Sequence, residues 1–314
     1  MSERIGIGVD IGGTKTAIGV VTATGELLER VVVATPKESA QQLIDVITQT
    51  TSELAQRFAF TTMGVAIAGL VDANQAKVAY ATHLPVRGLA MKAQLEAATG
   101  LTVLIENDAT AALWAEWAWG AARELQNSVM VAIGTGIGGG FVVDGHVQRG
   151  ATGLSGEIGH LRFVPDGIAC PCGLNGCWEQ YGSGRVLDRW AQAEIAAQSS
   201  ISTKLIEQAG SVERISGRTV SELARAGAPE AVKCLEELGR NIGIGMASLA
   251  TILDPELFVI GGGLLDNKEL LLGPMSEAFE QHLFARDHRA IPRIVPAACG
   301  PDAALIGAAG QLLA

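Results

Sequence analysis

The segment IGIGVDIGGTKTAIGVV, residues 5–21, places a glycine-rich turn between two apolar runs. The runs predict β-strands at residues 5–10 and 16–21. Glycines in such a turn let backbone N–H groups approach an anion closely, and Thr14 and Lys15 add a hydroxyl and a positive charge. The P-loop pattern is absent and no helix follows the glycines directly, so an ordinary tight hairpin explains this segment equally well when it is taken alone.

The same arrangement occurs a second time, near residues 129–148. An apolar strand at 129–133 leads into the turn GTGIGGG, residues 134–140, and a second hairpin follows. Two such turns facing one cleft can hold the phosphates of a single nucleotide from both sides, and a duplicated turn is far more specific than either copy. The repeat therefore predicts an α/β protein of two similar domains with a cleft between them. We expect an N-terminal domain of residues 1–117 plus 300–314 and a C-terminal domain of residues 118–299.

A carboxylate pair follows the strand predicted at residues 101–105. The sequence there is Glu106-Asn107-Asp108, and an alanine-rich run at 109–119 predicts a helix. Asn107 can cap that helix, which puts the carboxylate of Asp108 at a helix N-terminus and at the carboxyl end of a strand. Open α/β sheets bind ligands at this edge. A capping acid without any catalytic role is the alternative.

Residues 153–179, GLSGEIGHLRFVPDGIACPCGLNGCWE, contain three of the five cysteines. Three thiolates and one imidazole in so short a span are the donors of a four-coordinate structural zinc site, here His160, Cys170, Cys172 and Cys177. Glu157 and Glu179 flank this set, so a bound metal would aim both carboxylates and His160 at a substrate. A cluster of reduced cysteines without metal is the alternative, and disulfides are disfavoured because nothing at the N-terminus has the pattern of a signal peptide.

The rest of the chain predicts alternating helices and strands. Helices are expected at 36–58, 185–197 and 229–253, and the polar segment 199–229 is expected to be a flexible lid or surface insertion. A strand at 257–260 ends in a third glycine run, Gly261-Gly262-Gly263, which we assign to the nucleoside side of the site. A simple strand-to-helix turn is the alternative for that run.

Composition limits the classes of protein to consider. Hydrophobic residues make up 48% of the 314 residues and charged residues 18%, which is typical of a folded globular protein. The net charge is −10 and no cluster of lysine and arginine is present, so we expect no nucleic-acid partner. No run of about 18 apolar residues occurs, so no membrane partner is expected and the predicted location is the cytoplasm.

Taken together, the motifs VDIGGTK, ENDA, GTGIGGG, GLSGEIGH, CPCGLNGCWE and VIGGG follow one another over nearly the whole chain. Their order and spacing resemble those of the ROK family of bacterial sugar kinases. Within that family, residues 157–184 are most similar to the zinc-containing, ATP-dependent glucokinases of actinobacteria. The resemblance implies the duplicated actin/hexokinase-like (ribonuclease H-like) ATPase fold, with two domains and an interdomain cleft.

The resemblance also implies site residues and cofactors. Asp108 is the catalytic base facing the sugar 6-hydroxyl, and the other hexose hydroxyls are contacted by Asn107, Glu157, His160 and Glu179. The structural zinc ligands are His160, Cys170, Cys172 and Cys177. ATP, with Mg²⁺ bridging its phosphates, is held by Asp10, Gly12, Gly13, Thr14, Lys15, Gly134, Thr135, Gly136, Gly138, Gly139, Gly140, Gly261, Gly262 and Gly263.

The expected activity is ATP-dependent phosphorylation of glucose by a homodimer or homotetramer. Where many relatives have asparagine-leucine-proline-tryptophan, this chain has His83-Leu84-Pro85-Val86, and Thr110 replaces a common asparagine. Mannose, fructose, N-acetylglucosamine or N-acetylmannosamine as substrate, and polyphosphate as donor, are therefore alternatives. A sugar-sensing regulator is the non-enzyme alternative. It is disfavoured because such regulators carry a DNA-binding segment before the kinase-like part, and here the first glycine turn begins at Asp10.

Overall fold

A computed structural model describes residues 4–314 of the chain. In that range the strands are β1 (Ile5–Ile11), β2 (Lys15–Thr22), β3 (Leu27–Ala34), β4 (Thr62–Ile67), β5 (Leu70–Val71), β6 (Val78–Tyr80), β7 (Arg87–Leu89), β8 (Thr102–Asn107), β9 (Ser128–Ile133), β10 (Ile137–Val143), β11 (His146–Val147), β12 (Leu257–Gly261) and β13 (Arg293–Pro296). The α-helices are α1 (Ala40–Ala55), α2 (Met91–Thr99), α3 (Asp108–Ala118), α4 (Glu179–Gly182), α5 (Arg185–Ala196), α6 (Ser202–Ala209), α7 (Gly217–Arg225), α8 (Pro229–Leu253), α9 (Lys268–His282) and α10 (Ala303–Gly310).

Two five-stranded sheets repeat one strand order. The first sheet runs β3-β2-β1-β4-β8 and the second runs β11-β10-β9-β12-β13. In the first sheet β1 pairs antiparallel with β2 and parallel with β4, which in turn pairs parallel with β8. In both sheets the hairpin strands occupy one side and the strands that follow later in the chain occupy the other. This repetition agrees with the duplication predicted from the two glycine turns. A small third sheet, β5-β6-β7, was not predicted from the sequence.

The chain divides into two compact units. The first contains the chain up to Met130 together with Gly139–Gly156 and Ala297–Ala314, and the second contains Val131–Gly138 and Glu157–Pro296. Residues 118–130, 139–156 and 297–299 thus group with the first unit, whereas the sequence analysis assigned them to the C-terminal domain.

The first unit has an apolar core around its central strands. Ile7 and Val9 of β1 share one buried cluster with Leu43 and Ile47 of α1. A second cluster joins β4, α3 and α10 through small side chains, Ala66, Ala111 and Ala308. Because these side chains are small, α3 and α10 can lie close to each other and to the strands, and α3 is held firmly at the end of β8.

The second unit is centred on α8, which packs against α7 and α9. Trp178, at the end of the cysteine-rich loop, is fully buried and its Nε1 donates to the carbonyl of Asn241 at 2.9 Å. Phe258 of β12 and Phe279 of α9 meet edge to face with their ring centroids 5.5 Å apart. The cysteine-rich loop is therefore anchored in a packed core at its C-terminal end.

The structure corrects two sequence-based expectations. Helix α1 begins at Ala40 and not at Pro36, because the side chain of Ser39 caps it by accepting from the backbone N–H of Gln42. The segment expected to be a flexible lid, 199–229, instead forms α6 and α7. Helix α6 buries only Leu205, and α7 buries Thr219, Val220, Ser221, Leu223 and Ala224. Because two of the α7 residues are polar and one is small, the polar composition of the segment concealed two short amphipathic helices.

Across residues 4–314, no helix combines the length and the apolarity that a bilayer crossing requires.

Candidate active site and metal centre

Asn107 and Asp108 lie where β8 ends and α3 begins. Asn107 caps α3 as predicted, with its Oδ1 accepting from the Thr110 N–H at 3.1 Å, and its Nδ2 donates to the carbonyl of Gly69 at 3.2 Å. Asp108 Oδ1 accepts from the Ala109 N–H at 2.9 Å. Because β1, β4 and β8 are parallel neighbours, Asp10 and Asp108 share the carboxyl edge of one sheet.

Burial raises the pKa of Asp108 above the ordinary aspartate value, although hydrogen bonds from the Ala109 N–H and from Asn107 lower it in part. A helix N-terminus taken alone favours the ionised carboxylate and lowers its pKa. The pKa of Asp108 shifts in the opposite direction, because desolvation of the charged form outweighs the hydrogen bonds. A raised pKa makes Asp108 a stronger base, which suits a group that accepts a proton near neutral pH.

The pKa of Asp10 is raised to about 7. Burial is the main cause, and the negative charges of Asp108 and Asp302 add to it, while Arg30 acts in the opposite direction. Arg30 pairs with Asp302 at 2.7 Å, so its positive charge is largely balanced and lowers the pKa of Asp10 only slightly. This edge of the sheet therefore concentrates negative charge and favours a cation.

Asp10→Asn should stabilise the ligand-free protein, and the gain should grow with pH. Between about pH 4 and pH 7 the folded state holds a proton at Asp10 that the unfolded state has lost, so the wild-type free energy of unfolding falls across this window. The asparagine variant lacks this loss. Because the loss begins at about pH 4, about a third of the advantage should be present at pH 5, and the advantage should reach roughly 2–4 kcal/mol above pH 7.

Chemical denaturation of both proteins from pH 5 to pH 8 measures this difference. Asp45→Asn, at an exposed position on α1, is the matched control for removal of one acidic side chain. An Asp10→Asn advantage that stays constant over the whole pH range would show that Asp10 does not titrate in this window.

The first glycine turn is closed by its own backbone and by a threonine pair. The N–H of Gly12 donates to the carbonyl of Lys15 at 3.0 Å. The hydroxyl of Thr35 donates to the carbonyl of Gly12 at 2.8 Å and lies 2.9 Å from the hydroxyl of buried Thr16. With the Gly12 carbonyl held in this way, the turn is rigid, and the exposed Thr14 is available to a ligand.

The second glycine turn is held by the segment that follows the cysteine-rich loop. The Gly134 N–H donates to the carbonyl of Gly136 at 3.0 Å, and the Ser183 hydroxyl donates to the carbonyl of Thr135 at 2.9 Å. A Cβ at position 136 would lie 2.6 Å from Glu179 Oε2, so a side chain there would displace this carboxylate. The turn and Glu179 are therefore direct neighbours within the second unit.

The third glycine turn follows β12. Gly262 has φ +89°, and a Cβ at this position would overlap the backbone of Ile133, so only glycine fits. The next residues are tied down by Asn267, which accepts from Arg225 at 2.8 Å and donates to Ser221 at 3.2 Å. Helix α7, which the sequence analysis treated as a lid, thus supports this turn.

The four predicted metal ligands converge in the second unit. Their ligand atoms all lie within 4.8 Å of one another. Cys172 Sγ and Cys177 Sγ are 3.6 Å apart, and Cys170 Sγ is 3.8 Å from His160 Nδ1. A tetrahedral zinc with Zn–S bonds of about 2.3 Å requires sulfur–sulfur separations of about 3.8 Å. The donor set and its spacing therefore fit zinc.

The predicted sugar-contacting residues of this unit adjoin the metal ligands. His160 turns Nδ1 towards Cys170, and its Nε2 lies 3.9 Å from Glu157 Oε2. Glu179 is 9% exposed, and its Oε1 accepts from the Cys170 thiol at 3.1 Å. One imidazole can thus serve the metal through Nδ1 and keep Nε2 for another partner, and the position of Glu179 depends on the position of Cys170.

The structure groups the predicted site residues by unit. The first unit brings together Asp10, the turn at Gly12–Lys15, Asn107 and Asp108, and the second brings together Gly134–Gly138, the four metal ligands, Glu157 and Glu179, with Gly261–Gly263 beside β9. Gly139 and Gly140 belong to the first unit, where Gly140 lies against Leu113 of α3.

Sequence reasoning missed the supporting polar residues Thr35, Arg149, Ser183 and Asn267. None of them belongs to a recognisable motif, although Ser183 and Arg149 each stand next to a glycine near a predicted site segment.

The chain is similar to known proteins over nearly its whole length. The family model described as ROK family matches residues 6–313. A glucokinase from Streptomyces coelicolor is 38% identical over 304 residues, covering 96% of both chains.

Solved structures extend the comparison to the fold. A ROK family glucokinase from Streptomyces griseus, in complex with glucose and AMPPNP, is 40% identical with a TM-score of 0.88 and 98% of each chain covered. A ROK hexokinase from Thermus thermophilus is 34% identical with a TM-score of 0.81, covering 98% of this chain and 97% of that one. The fold predicted from the sequence, the actin/hexokinase-like two-domain α/β fold, is confirmed, and so is the resemblance on which it rested. The chain belongs to the ROK family.

Proposed function

We propose that this protein is an ATP-dependent glucokinase, which transfers the γ-phosphoryl group of ATP to the 6-hydroxyl of glucose and releases glucose 6-phosphate and ADP. The observation that carries the proposal is Asp108, a carboxylate of raised pKa fixed between a strand end and a capped helix, at the same sheet edge as Asp10. The similarity to a glucokinase solved with glucose and AMPPNP over 98% of both chains supports the choice of substrates.

In the proposed reaction, Asp108 accepts the proton of the sugar 6-hydroxyl while the hydroxyl oxygen forms a bond to the γ-phosphorus. The bond between that phosphorus and the bridging oxygen breaks, and ADP leaves with the electron pair. Phosphoryl transfer of this kind depends mainly on positioning and on charge stabilisation. The Ala109 N–H and the Asn107 cap hold Asp108 in one orientation, which is the positioning that the reaction needs.

We propose that Asn107, Glu157, His160 and Glu179 bind the remaining hydroxyls of the hexose. A hexose is a ring of hydroxyl groups, and fixed carboxylates and amides are the acceptors that recognise it. A site built to pair with a hydroxyl discriminates strongly against an analogue that lacks it. The support for this assignment is the fixed geometry of Asn107 and Glu179.

We assign the ATP phosphates to the turns at Gly12–Lys15 and Gly134–Gly140, and the nucleoside to Gly261–Gly263. The Gly12 and Gly134 N–H groups donate within their own turns, so the contacts to phosphate fall to other N–H groups of these segments. Glycine turns supply such N–H groups without side chains in the way. When Mg²⁺ is bound, it supplies charge neutralisation at the phosphates. Asp10 is the residue that we place beside the cation, and the negative charge around it supports that placement.

We propose that His160, Cys170, Cys172 and Cys177 hold a structural zinc ion. All four positions are taken by protein ligands, so the chemistry that zinc supplies here is structural. It fixes the loop that carries Glu157 and Glu179. The convergence of the four donor atoms supports this proposal.

We further propose that the protein acts in the cytoplasm, at the entry of glucose into glycolysis, as a homodimer or homotetramer without a nucleic-acid partner. The cysteine cluster suits a reducing compartment, and the acidic net charge of −10 disfavours nucleic acid. The oligomeric state rests on the family resemblance.

Coupled measurement of ADP release tests the proposal. Purified protein with Mg-ATP should turn over glucose with a kcat/KM at least about tenfold above that for mannose, fructose, N-acetylglucosamine or N-acetylmannosamine. Polyphosphate replaces ATP in a second series, and Asp108→Asn controls for contaminating kinases. Preference for another hexose would reassign the substrate, preference for polyphosphate would reassign the donor, and silence on every sugar would overturn the kinase proposal.

A further inference from the structure

A buried ion pair lies directly behind the Asn107-Asp108 turn. Glu106 is the residue before Asn107, and its side chain is 4% exposed. Its Oε2 accepts from Arg149 Nε at 2.7 Å, and a terminal nitrogen of the same guanidinium lies at the same distance. Oε2 also accepts from Gln75 Nε2 at 2.9 Å. Since a lone charge in such a place is strongly disfavoured, Glu106 depends on Arg149.

The second oxygen of Glu106 reaches the proposed active site. Oε1 accepts from the backbone N–H of Asn107 at 3.1 Å. Asn107 is the cap of α3, and Asp108 is the first residue of that helix. The orientation of the Glu106 carboxylate therefore fixes the backbone at the point where the proposed base is attached.

Arg149 belongs to a different segment of the chain. It lies in the first unit after β11, and its guanidinium also donates to Gln311 Oε1 at 2.7 Å. Its carbonyl accepts from the Ser155 N–H at 3.2 Å, which closes a loop over residues 149–155. That loop leads directly into Glu157, one of the residues that we propose to bind the sugar.

Two glycines of the segment 149–156 lie in close contact with the backbone of neighbouring segments. Gly153, with φ +89°, lies so near the backbone of residues 71–73 that a Cβ would overlap the Val71 carbonyl. A Cβ at Gly156 would lie 2.7 Å from the Gly139 carbonyl. The chain entering Glu157 thus has little freedom, and Arg149 is the charged side chain that ties it to the strand carrying Asn107 and Asp108.

We propose that Arg149 is a positioning residue for phosphoryl transfer, linking through Glu106 the turn that carries Asp108 to the loop that delivers Glu157. The inference rests on the proposed function for its kinetic consequence. Its structural part, a guanidinium that sets the order of two substrate-binding segments, stands on the contacts alone. None of the family motifs quoted from the sequence includes Arg149.

Three variants separate positioning from mere stabilisation. Arg149→Met leaves the Glu106 carboxylate buried without its cation, and should lower both the melting temperature and kcat/KM for glucose. The double variant Glu106→Gln with Arg149→Met removes both charges, so it should regain most of the melting temperature. It should not regain kcat/KM for glucose, because Arg149 no longer connects the turn that carries Asp108 to the loop that leads into Glu157. Arg149→Lys keeps the charge but replaces the planar guanidinium by a single ammonium nitrogen, which cannot reproduce the two-nitrogen contact with Glu106 while it also donates to Gln311.

We expect kcat/KM for glucose to fall about 10- to 100-fold in Arg149→Met and in the double variant, because misplacement of reacting groups by about 1 Å has effects of that size. The KM for ATP should change by less than about threefold, since the guanidinium of Arg149 donates to Glu106 and Gln311, neither of which belongs to the glycine turns assigned to ATP. The kcat/KM of Arg149→Lys for glucose should lie between the values of the wild type and Arg149→Met. Arg123→Met, which removes an exposed arginine of the first unit, is the matched control and should behave as the wild type.

Amide hydrogen exchange supplies a readout that does not require activity. The N–H groups of Asn107 and Ser155 should exchange faster in both variants that lack Arg149, and unchanged exchange at both would overturn the link. Recovery of kcat/KM together with the melting temperature in the double variant would reduce Arg149 to a stabilising residue. If the wild type phosphorylates no sugar, the proposed function fails, and the exchange result still decides whether Arg149 orders the two segments.

Discussion

Replacing Asp108 with asparagine should lower kcat for glucose phosphorylation by about 10²- to 10⁴-fold, the range over which a general base contributes. Asparagine has nearly the same shape, and its side-chain oxygen can still accept from the Ala109 N–H. It cannot take the proton of the attacking hydroxyl. Burial raises the pKa of Asp108, so its ionised form destabilises the folded protein. A neutral side chain at this position should therefore not lower the free energy of unfolding.

Steady-state kinetics, glucose binding by calorimetry and thermal unfolding together test this expectation. Binding should stay within about threefold of the wild-type value, because the contribution of the base arises in the transition state. Asp287→Asn, at a side chain that is 81% exposed, controls for loss of an acidic group elsewhere. A near-normal kcat in Asp108→Asn would remove Asp108 from the role of base and leave it as a helix-capping acid.

The parts of the structure that the sequence predicted well are those encoded by local patterns. The apolar runs around VDIGGTK gave β1 and β2, and the alanine-rich run after Asp108 gave α3 with Asn107 as its cap. The three cysteines and His160 lie within 18 consecutive residues, so their convergence needs only a short loop. In each case neighbours in sequence are also neighbours in space.

What the sequence did not predict depends on contacts between distant residues. Arg149 is 43 positions from Glu106 and 162 from Gln311, and no periodic pattern joins them. The direction of the pKa shift of Asp108 depends on burial by side chains from other elements, whereas the helix-end effect can be read locally. Helices α6 and α7 were missed because α6 buries a single residue and the face that α7 buries against α5 and α8 includes threonine and serine, so neither helix has a clear apolar stripe in its sequence.

Loss of the proposed zinc should have the second large effect. Cys172 is the exposed member of the cluster, so Cys172→Ser removes a ligand without opening a cavity in the core. The wild type should hold about one zinc ion per chain, and the variant should release zinc readily to a chromogenic chelator. The melting temperature should fall by at least about 5 °C, because binding of a structural metal contributes directly to folding.

The kinetic consequence should concern the sugar more than ATP. Glu179 Oε1 lies 3.1 Å from Cys170 Sγ, and Glu157 lies 3.9 Å from the ring of His160, so two proposed sugar contacts touch two proposed ligands. When the ligand shell relaxes, both carboxylates lose their fixed positions, and the KM for glucose should rise about 10- to 100-fold. The KM for ATP should change less, because the first glycine turn, closed by Gly12, Lys15 and Thr35, has no part in the cluster. The second turn borders Glu179 at Gly136, but its backbone is also held by Ser183, which is not a ligand.

Cys299→Ala, at a thiol outside the cluster, is the control and should keep the zinc content of the wild type. Metal analysis that finds no zinc in the wild type, together with a Cys172→Ser protein of unchanged melting temperature, would show that the thiols pack without metal. If zinc is present but its loss leaves the KM for glucose unchanged, the metal stabilises the loop without setting the positions of Glu157 and Glu179. We expect stability and sugar affinity to fall together, because Cys170 and Glu179 are close in the chain and in direct contact. The loop between the ligands is too short to keep Glu179 in place when one ligand is lost.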